Sequence, residues 1–185
     1  MRFDKEIIFC FLILSITFFS CQNDTKEIEE VTKKDALFPT ESGKEVEILY
    51  TDSGQMKVRI TAPVLNDYTY NVKEHYTEMP KGLYVEFYDD KGKIKTTLKA
   101  NYGIKYAESK KIEVKYNVVV VNANKETLNT EQLFWDENTH KIYTTPNQYV
   151  KITTNKETLQ GKGMEANEDF SEWEIQNPIG THVDN

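Results

Sequence analysis

Thr97-Leu98, Thr127-Leu128 and Thr158-Leu159 open three copies of one recurring unit, with their leucines 30 and 31 residues apart. The second and third copies share five consecutive residues, Asn124-Lys125-Glu126-Thr127-Leu128 and Asn155-Lys156-Glu157-Thr158-Leu159. Lys111-Ile112 and Lys141-Ile142 repeat the same step of 30 residues. A fixed period of this size marks supersecondary units that stack and bury a shared apolar face. The units are rich in Val, Ile, Tyr and Thr and are punctuated by Asn, Asp and Gly, so they read as hairpins and not as helix pairs.

Outward from this stretch the same pattern continues. Val46, Ile48 and Tyr50 alternate with Glu45, Glu47 and Leu49 before an Asp52-Ser53-Gly54 turn. Met56 to Ala62 alternates cleanly, Pro63 is expected to stop this strand, and Leu83, Val85 and Phe87 form the next apolar face. Further strands are expected around Ile94–Ala100, Ile112–Val121, Thr130–Trp135, Lys141–Tyr143, Val150–Ile152, Met164–Ala166 and Trp173–Ile175. Turns are expected at Ala107–Lys110, Asn122–Asn124, Asp136–Asn138 and Asn167–Asp169. Val118 to Val121 is apolar on both faces, which predicts a strand covered on both sides. About a dozen short strands with turns at this spacing indicate a sandwich, barrel or solenoid-like roll.

The chain has 185 residues, enough for one domain and an export segment. Arg2 and Lys5 precede an apolar run from Ile7 to Phe19, too short for a membrane span but suited to a signal peptide. The run ends in Phe18-Phe19-Ser20-Cys21 and turns polar at once, resembling a lipoprotein cleavage box with Cys21 as the lipidated residue. The competing reading keeps residues 1–20 as a short uncleaved anchor. Residues 21–44 are charged and poor in aromatics, a flexible tether. The folded domain is expected over residues 45–177, with a tail at 178–185. Cys10 and Cys21 are the two cysteines, so the domain has neither a disulfide nor a thiol nucleophile.

The net charge is −7 and survives removal of the leader, whose Arg2, Asp4, Lys5 and Glu6 cancel. An acidic surface argues against a nucleic-acid partner. His75, His140 and His182 are isolated, without metal-ligand spacing, and no cofactor motif is present. The paired acids Asp89-Asp90, Asp136-Glu137 and Glu168-Asp169 lie in expected turns, where solvated loops are the ordinary outcome. These features indicate a binding or scaffolding protein and not an enzyme.

Leu49-Tyr50-Thr51-Asp52-Ser53-Gly54, Thr97-Leu98-Lys99-Ala100-Asn101-Tyr102-Gly103 and Gly161-Lys162-Gly163-Met164-Glu165-Ala166-Asn167 resemble the LptC family of lipopolysaccharide-export proteins, closest to its Bacteroidetes-type members. The resemblance covers residues 45–175. It implies an all-β open jellyroll, two antiparallel sheets over an apolar groove that carries the acyl chains of lipopolysaccharide. It implies as partners the permease subunits of an inner-membrane ABC transporter and a periplasmic LptA-like protein joined by strand-edge addition. The chain is then held on the periplasmic side of the inner membrane, with a lipid on Cys21 where better-known members keep a membrane helix. The alternating apolar set expected to line the groove is Val58, Ile60, Val85, Phe87, Leu98, Val114, Tyr116, Val118, Leu133, Ile142 and Ile152, about half of it closed core. The alternative is an envelope lipoprotein that binds protein or glycan, with a filled core and aromatics exposed on one face.

Overall fold

In the computed structural model, residues 37–182 are described, residues 181 and 182 by backbone only. The leader, Cys21 and most of the expected tether lie outside the described residues. Twelve strands run as an antiparallel meander: β1 (Glu41–Asp52), β2 (Gln55–Tyr68), β3 (Tyr76–Met79), β4 (Leu83–Tyr88), β5 (Ile94–Ala100), β6 (Tyr102–Tyr106), β7 (Lys111–Asn122), β8 (Thr127–Asp136), β9 (Lys141–Tyr143), β10 (Tyr149–Thr153), β11 (Thr158–Asn167) and β12 (Trp173–His182). The short strands work in end-to-end couples. β3 and β4 both pair with β2, at residues 66–68 and 58–61. Likewise β5 and β6 both pair with β7, and β9 and β10 both pair with β8.

The interruptions fall at one level across the meander. On β1 the register steps over Glu45 (φ 49°), which leaves Pro63 of β2 unpaired. Pro80-Lys81-Gly82 separates β3 from β4, Asn101 separates β5 from β6, and residues 144–148 separate β9 from β10. Tyr116 (φ 65°) and Asn117 (φ 52°) break the register of β7 against β8. Gly163 (φ 71°) puts one left-handed residue into β11, whose register against β12 shifts between Gln160 and Gly161. A proline cannot donate to the ladder, and left-handed residues bulge and bend a strand. With these breaks at one level the sheet folds along a crease into two facing layers. Layer one holds β4, β5, β10 and the adjoining halves of the long strands. Layer two holds β3, β6, β9 and the other halves. The result is an all-β, jellyroll-like fold.

The repeat now has a structural meaning. Ile48, Ile60, Val85, Leu98, Val120, Leu128, Ile152 and Leu159 pair in turn across layer one as one continuous row. Leu98, Leu128 and Leu159 belong to β5, β8 and β11, which all start in layer one and head for the crease. One hairpin of about 30 residues returns each leucine to the same row.

The structure differs from the sequence reading in detail: β2 does not stop at Pro63 but runs on to Tyr68, because the proline sits where β1 makes no ladder bond. β1 begins at Glu41, and β12 continues through Pro178 to His182, so strand extends past both expected boundaries. Val118 and Val120 are buried, but their outward neighbours Val119 and Val121 are only half-buried, so no third layer covers this strand. Among the described residues β1 and β12 each have a single partner, β2 and β11, and they form the two edges of the sheet.

The crease is tight at Gly82, which has φ 87° and whose added Cβ would meet the Ala100 carbonyl oxygen at 2.6 Å. Gly54 in the β1–β2 turn has φ 79° but nothing within 4 Å. Gly82→Ala is therefore expected to lower unfolding stability by about 3 kcal/mol, from strain and overlap together. Gly54→Ala is expected to cost only about 1 kcal/mol, from the left-handed backbone alone. Urea unfolding of the two variants checks this; equal losses would mean the crease has room to relax.

Candidate functional site: the cavity between the layers

The inner faces do not meet evenly. Between the N-terminal halves of the layers lies a cavity of about 230 Å³. Seven residues of the expected lining set face it: Ile60, Val85, Phe87, Leu98, Val114, Leu133 and Ile142. Val58, Val118 and Ile152 are buried in the core away from it. Ile152 instead borders a remnant of about 10 Å³ beside Val120, Leu128, Phe170 and Trp173, so the C-terminal half is filled.

Tyr116 is the correction. It is 57% exposed and stacks edge-on with Tyr102 at 6.3 Å between centroids. Strict alternation from Val114 would turn Tyr116 inward. The two left-handed residues Tyr116 and Asn117 form a bulge that turns Tyr116 outward, and the inward row resumes at Val118 in the same alternation.

The cavity also has walls that the lining set omits. Ile48 and Tyr50 of edge strand β1 line it and are only half-buried, so the cavity reaches the sheet edge there. Ile112 and Trp135 belong to the same alternations as Val114 and Leu133 and could have been found from them. Met79 and Leu83 flank the crease, where alternation breaks. Among the described residues Lys105 is the single charged side chain in the wall, and nothing in Tyr102-Gly103-Ile104-Lys105-Tyr106 marks it as inward.

Opposite the crease, the free margins of the layers are joined along a seam. Lys105 Nζ of layer two donates to Tyr50 Oη of layer one at 2.9 Å. Phe87 meets Trp135 edge to face at 5.7 Å. The Thr96 hydroxyl donates to the Asp169 carbonyl at 2.7 Å, and Lys95 pairs with the Asp169 carboxylate. Asn122 Nδ2 donates to the Phe170 carbonyl at 3.1 Å, and Trp173 Nε1 to Glu126 Oε2 at 3.3 Å. The turn between β11 and β12 thus reaches across and latches onto layer one.

Burial opposes ionisation of Asp169, but its bonds to Lys95 and Ser171 outweigh that and hold the carboxyl below the usual aspartate value. Lys105 shows the mirror case. Burial works against its charge, and the bonds to Glu137 and Tyr50 outweigh it, leaving the ammonium pKa raised.

Layer two is aromatic on its outer face as well. Tyr68 stacks on Tyr76 at 4.6 Å, Phe134 stacks on Tyr143 at 5.4 Å, and Glu113 is 8% exposed beside them, bonded by Gln132 and Lys115. Glu113, which alternation places on the solvent side, is therefore outward but covered.

The depressed Asp169 carboxyl stabilises the latch fully above the ordinary aspartate pKa, and this contribution is lost as pH falls through the folded value. From about pH 5 downward the parent protein should lose stability faster than Asp169→Asn. Urea midpoints across that range test it; parallel curves would show that the ion pair adds nothing.

A comparison with curated proteins gives no match. The family described as lipopolysaccharide-assembly, LptC-related matches residues 7–184, essentially the whole chain. With the all-β jellyroll and its apolar interior in place, the chain belongs to the LptC family, periplasmic components of lipopolysaccharide transport.

Proposed function

We propose that this protein receives lipopolysaccharide from the permease subunits of an inner-membrane ABC transporter and hands it to the next jellyroll of a periplasmic bridge. The observation that carries this reading is the cavity between the layers. It is apolar, it reaches edge strand β1 through Ile48 and Tyr50, and it continues into a row of aliphatic side chains running toward β12. Buried methylenes gain about 0.8 kcal/mol each in such a setting. Edge strands β1 and β12 supply the unpaired backbone that β-strand addition by a neighbouring LptA-like domain requires. A lipid on Cys21 would hold the chain at the membrane from which the cargo comes.

The cavity is small for this cargo. A void of about 150 Å³ accepts benzene, so 230 Å³ holds the end of one chain and not a multi-acyl lipid. Transport on this reading requires the layers to part along the seam, with the β11–β12 turn releasing Lys95, Thr96 and Asn122. The crease is the hinge and the seam is the mouth.

In-cell photocrosslinking tests the reading. An unnatural photoreactive residue is placed singly at Val85, Leu133 or Ile142 inside, and at Lys99, Asn129 or Tyr116 outside. Lipopolysaccharide adducts are expected at the inner positions alone, and they should vanish when cellular ATP is depleted. Folded, exported protein without adducts at any inner position would instead favour an envelope lipoprotein that binds protein or glycan.

A further inference from the structure

The inner row of layer two is apolar through Ile112, Trp135, Ile142, Ala166 and Trp173. Toward β1 it changes character: Ile112 pairs with Lys105, Lys105 with Thr77, and Thr77 with Asp67. Lys105 and Thr77 both line the cavity, and the Thr77 hydroxyl donates to Asp67 at 3.0 Å. Lys105 Nζ sits 4.8 Å from the centre of the Tyr50 ring, 2.9 Å from its hydroxyl and 2.8 Å from Glu137 Oε1. The cavity is thus amphipathic, an apolar trough with one cation at the end that meets the edge strand.

Fold stability does not account for that cation. A partly buried ion pair roughly breaks even against an apolar residue of similar volume, because desolvation cancels the attraction. The Glu137 carboxylate, on the turn after β8, occupies the position that an incoming anion would take.

We propose that Lys105 and Tyr50 form a headgroup subsite, docking the phosphate or carboxylate of an amphiphile whose acyl chain lies along Ile112, Leu133 and Ile142, with Glu137 as the internal counter-ion that the headgroup displaces. This rests on the acyl-chain reading of the cavity and adds a preference for an anionic head. Binding exchanges one oxyanion for another at the ammonium, so no charge is left unpaired while Glu137 turns to solvent.

Trp135 lines the cavity, and Trp173 is the other tryptophan, so full-length protein carrying Trp173→Phe has a single reporter inside. Its quenching is measured with a chain-brominated alkyl phosphate and with an alkyl glucoside on the same chain. The phosphate is expected to quench at about tenfold lower concentration, the scale of one charge-assisted bond. Lys105→Gln should erase that preference while glucoside quenching persists. Lys105→Arg should keep the preference, and Glu137→Gln should widen it.

Equal binding of both probes to the parent, or an undiminished preference in Lys105→Gln, overturns the headgroup subsite and leaves the acyl trough standing. Quenching by neither probe overturns the trough itself and the subsite with it. Inorganic phosphate that displaces the alkyl phosphate at equal concentration would identify a free-anion site and overturn the lipid assignment.

Discussion

Everything in this fold depends on bending nine antiparallel strand lines at one level. A sheet this wide cannot cover its own apolar face while flat, and no helix lies among the described residues to cover it. The remaining solution is to fold the sheet on itself, which needs a local break in every line. The chain uses six different devices for this: a proline opposite Glu45, a Pro-Lys-Gly step, a lone Asn101, a two-residue bulge at Tyr116-Asn117, a short loop, and a left-handed Gly163. Left-handed non-glycine residues cost roughly 1–2 kcal/mol each. Burial of the two inner faces over-determines them and carries that cost.

Folding about a crease also separates the functions of the two margins. The crease margin is covalently continuous and sterically crowded, as the overlap at Gly82 indicates. The seam is held by side chains and turns, which can part and re-form. Along the perpendicular direction the molecule is graded. The β1 end keeps a cavity with half-buried walls, while the β12 end is plugged by Phe170, 3% exposed, and flanked by Trp173. Filled core at one end anchors the fold, so the other end can stay hollow without the two layers losing register.

Most of the fold was legible in the sequence because its signals are local. The 30-residue period, the period-two runs and the Asn/Asp/Gly turns each report on one hairpin, and the meander joins hairpins in order. Seven of the expected lining residues face the cavity because alternation holds wherever a strand is regular. Tyr116 turns outward because a bulge interrupts the alternation, which resumes at Val118. Asn117 is the one local hint, since asparagine tolerates a left-handed backbone, but Tyr116 beside it carries none, and the pair is imposed by the crease and not by glycine. Lys105 and the seam were hidden for another reason. Asp169 meets Thr96 across 73 residues of chain, and Lys105 meets Tyr50 across 55, and such pairings follow from the folding of the layers, which no short pattern encodes. The aromatic outer face of layer two was hidden likewise, since one face of each strand supplies only one or two of its rings.

Magnitudes decide whether such a roll can work as a carrier. Among the described residues five polar links cross the seam: Lys105 to Tyr50, Thr96 and Lys95 to Asp169, Asn122 to Phe170, and Trp173 to Glu126. At roughly 1 kcal/mol net apiece, opening them costs about 5 kcal/mol before any apolar surface is exposed. Seating a chain of about ten methylenes returns about 8 kcal/mol. The two sums are close, and that closeness is what transfer requires. A seam stronger by a few kcal/mol would exclude the lipid. A wider, permanently open trough would hold it too firmly to pass on, or would expose apolar surface when empty. Weak, solvent-facing links along one margin, set against a rigid crease along the other, keep loaded and empty states within reach of each other, so that a push from the loading side can set the direction of travel.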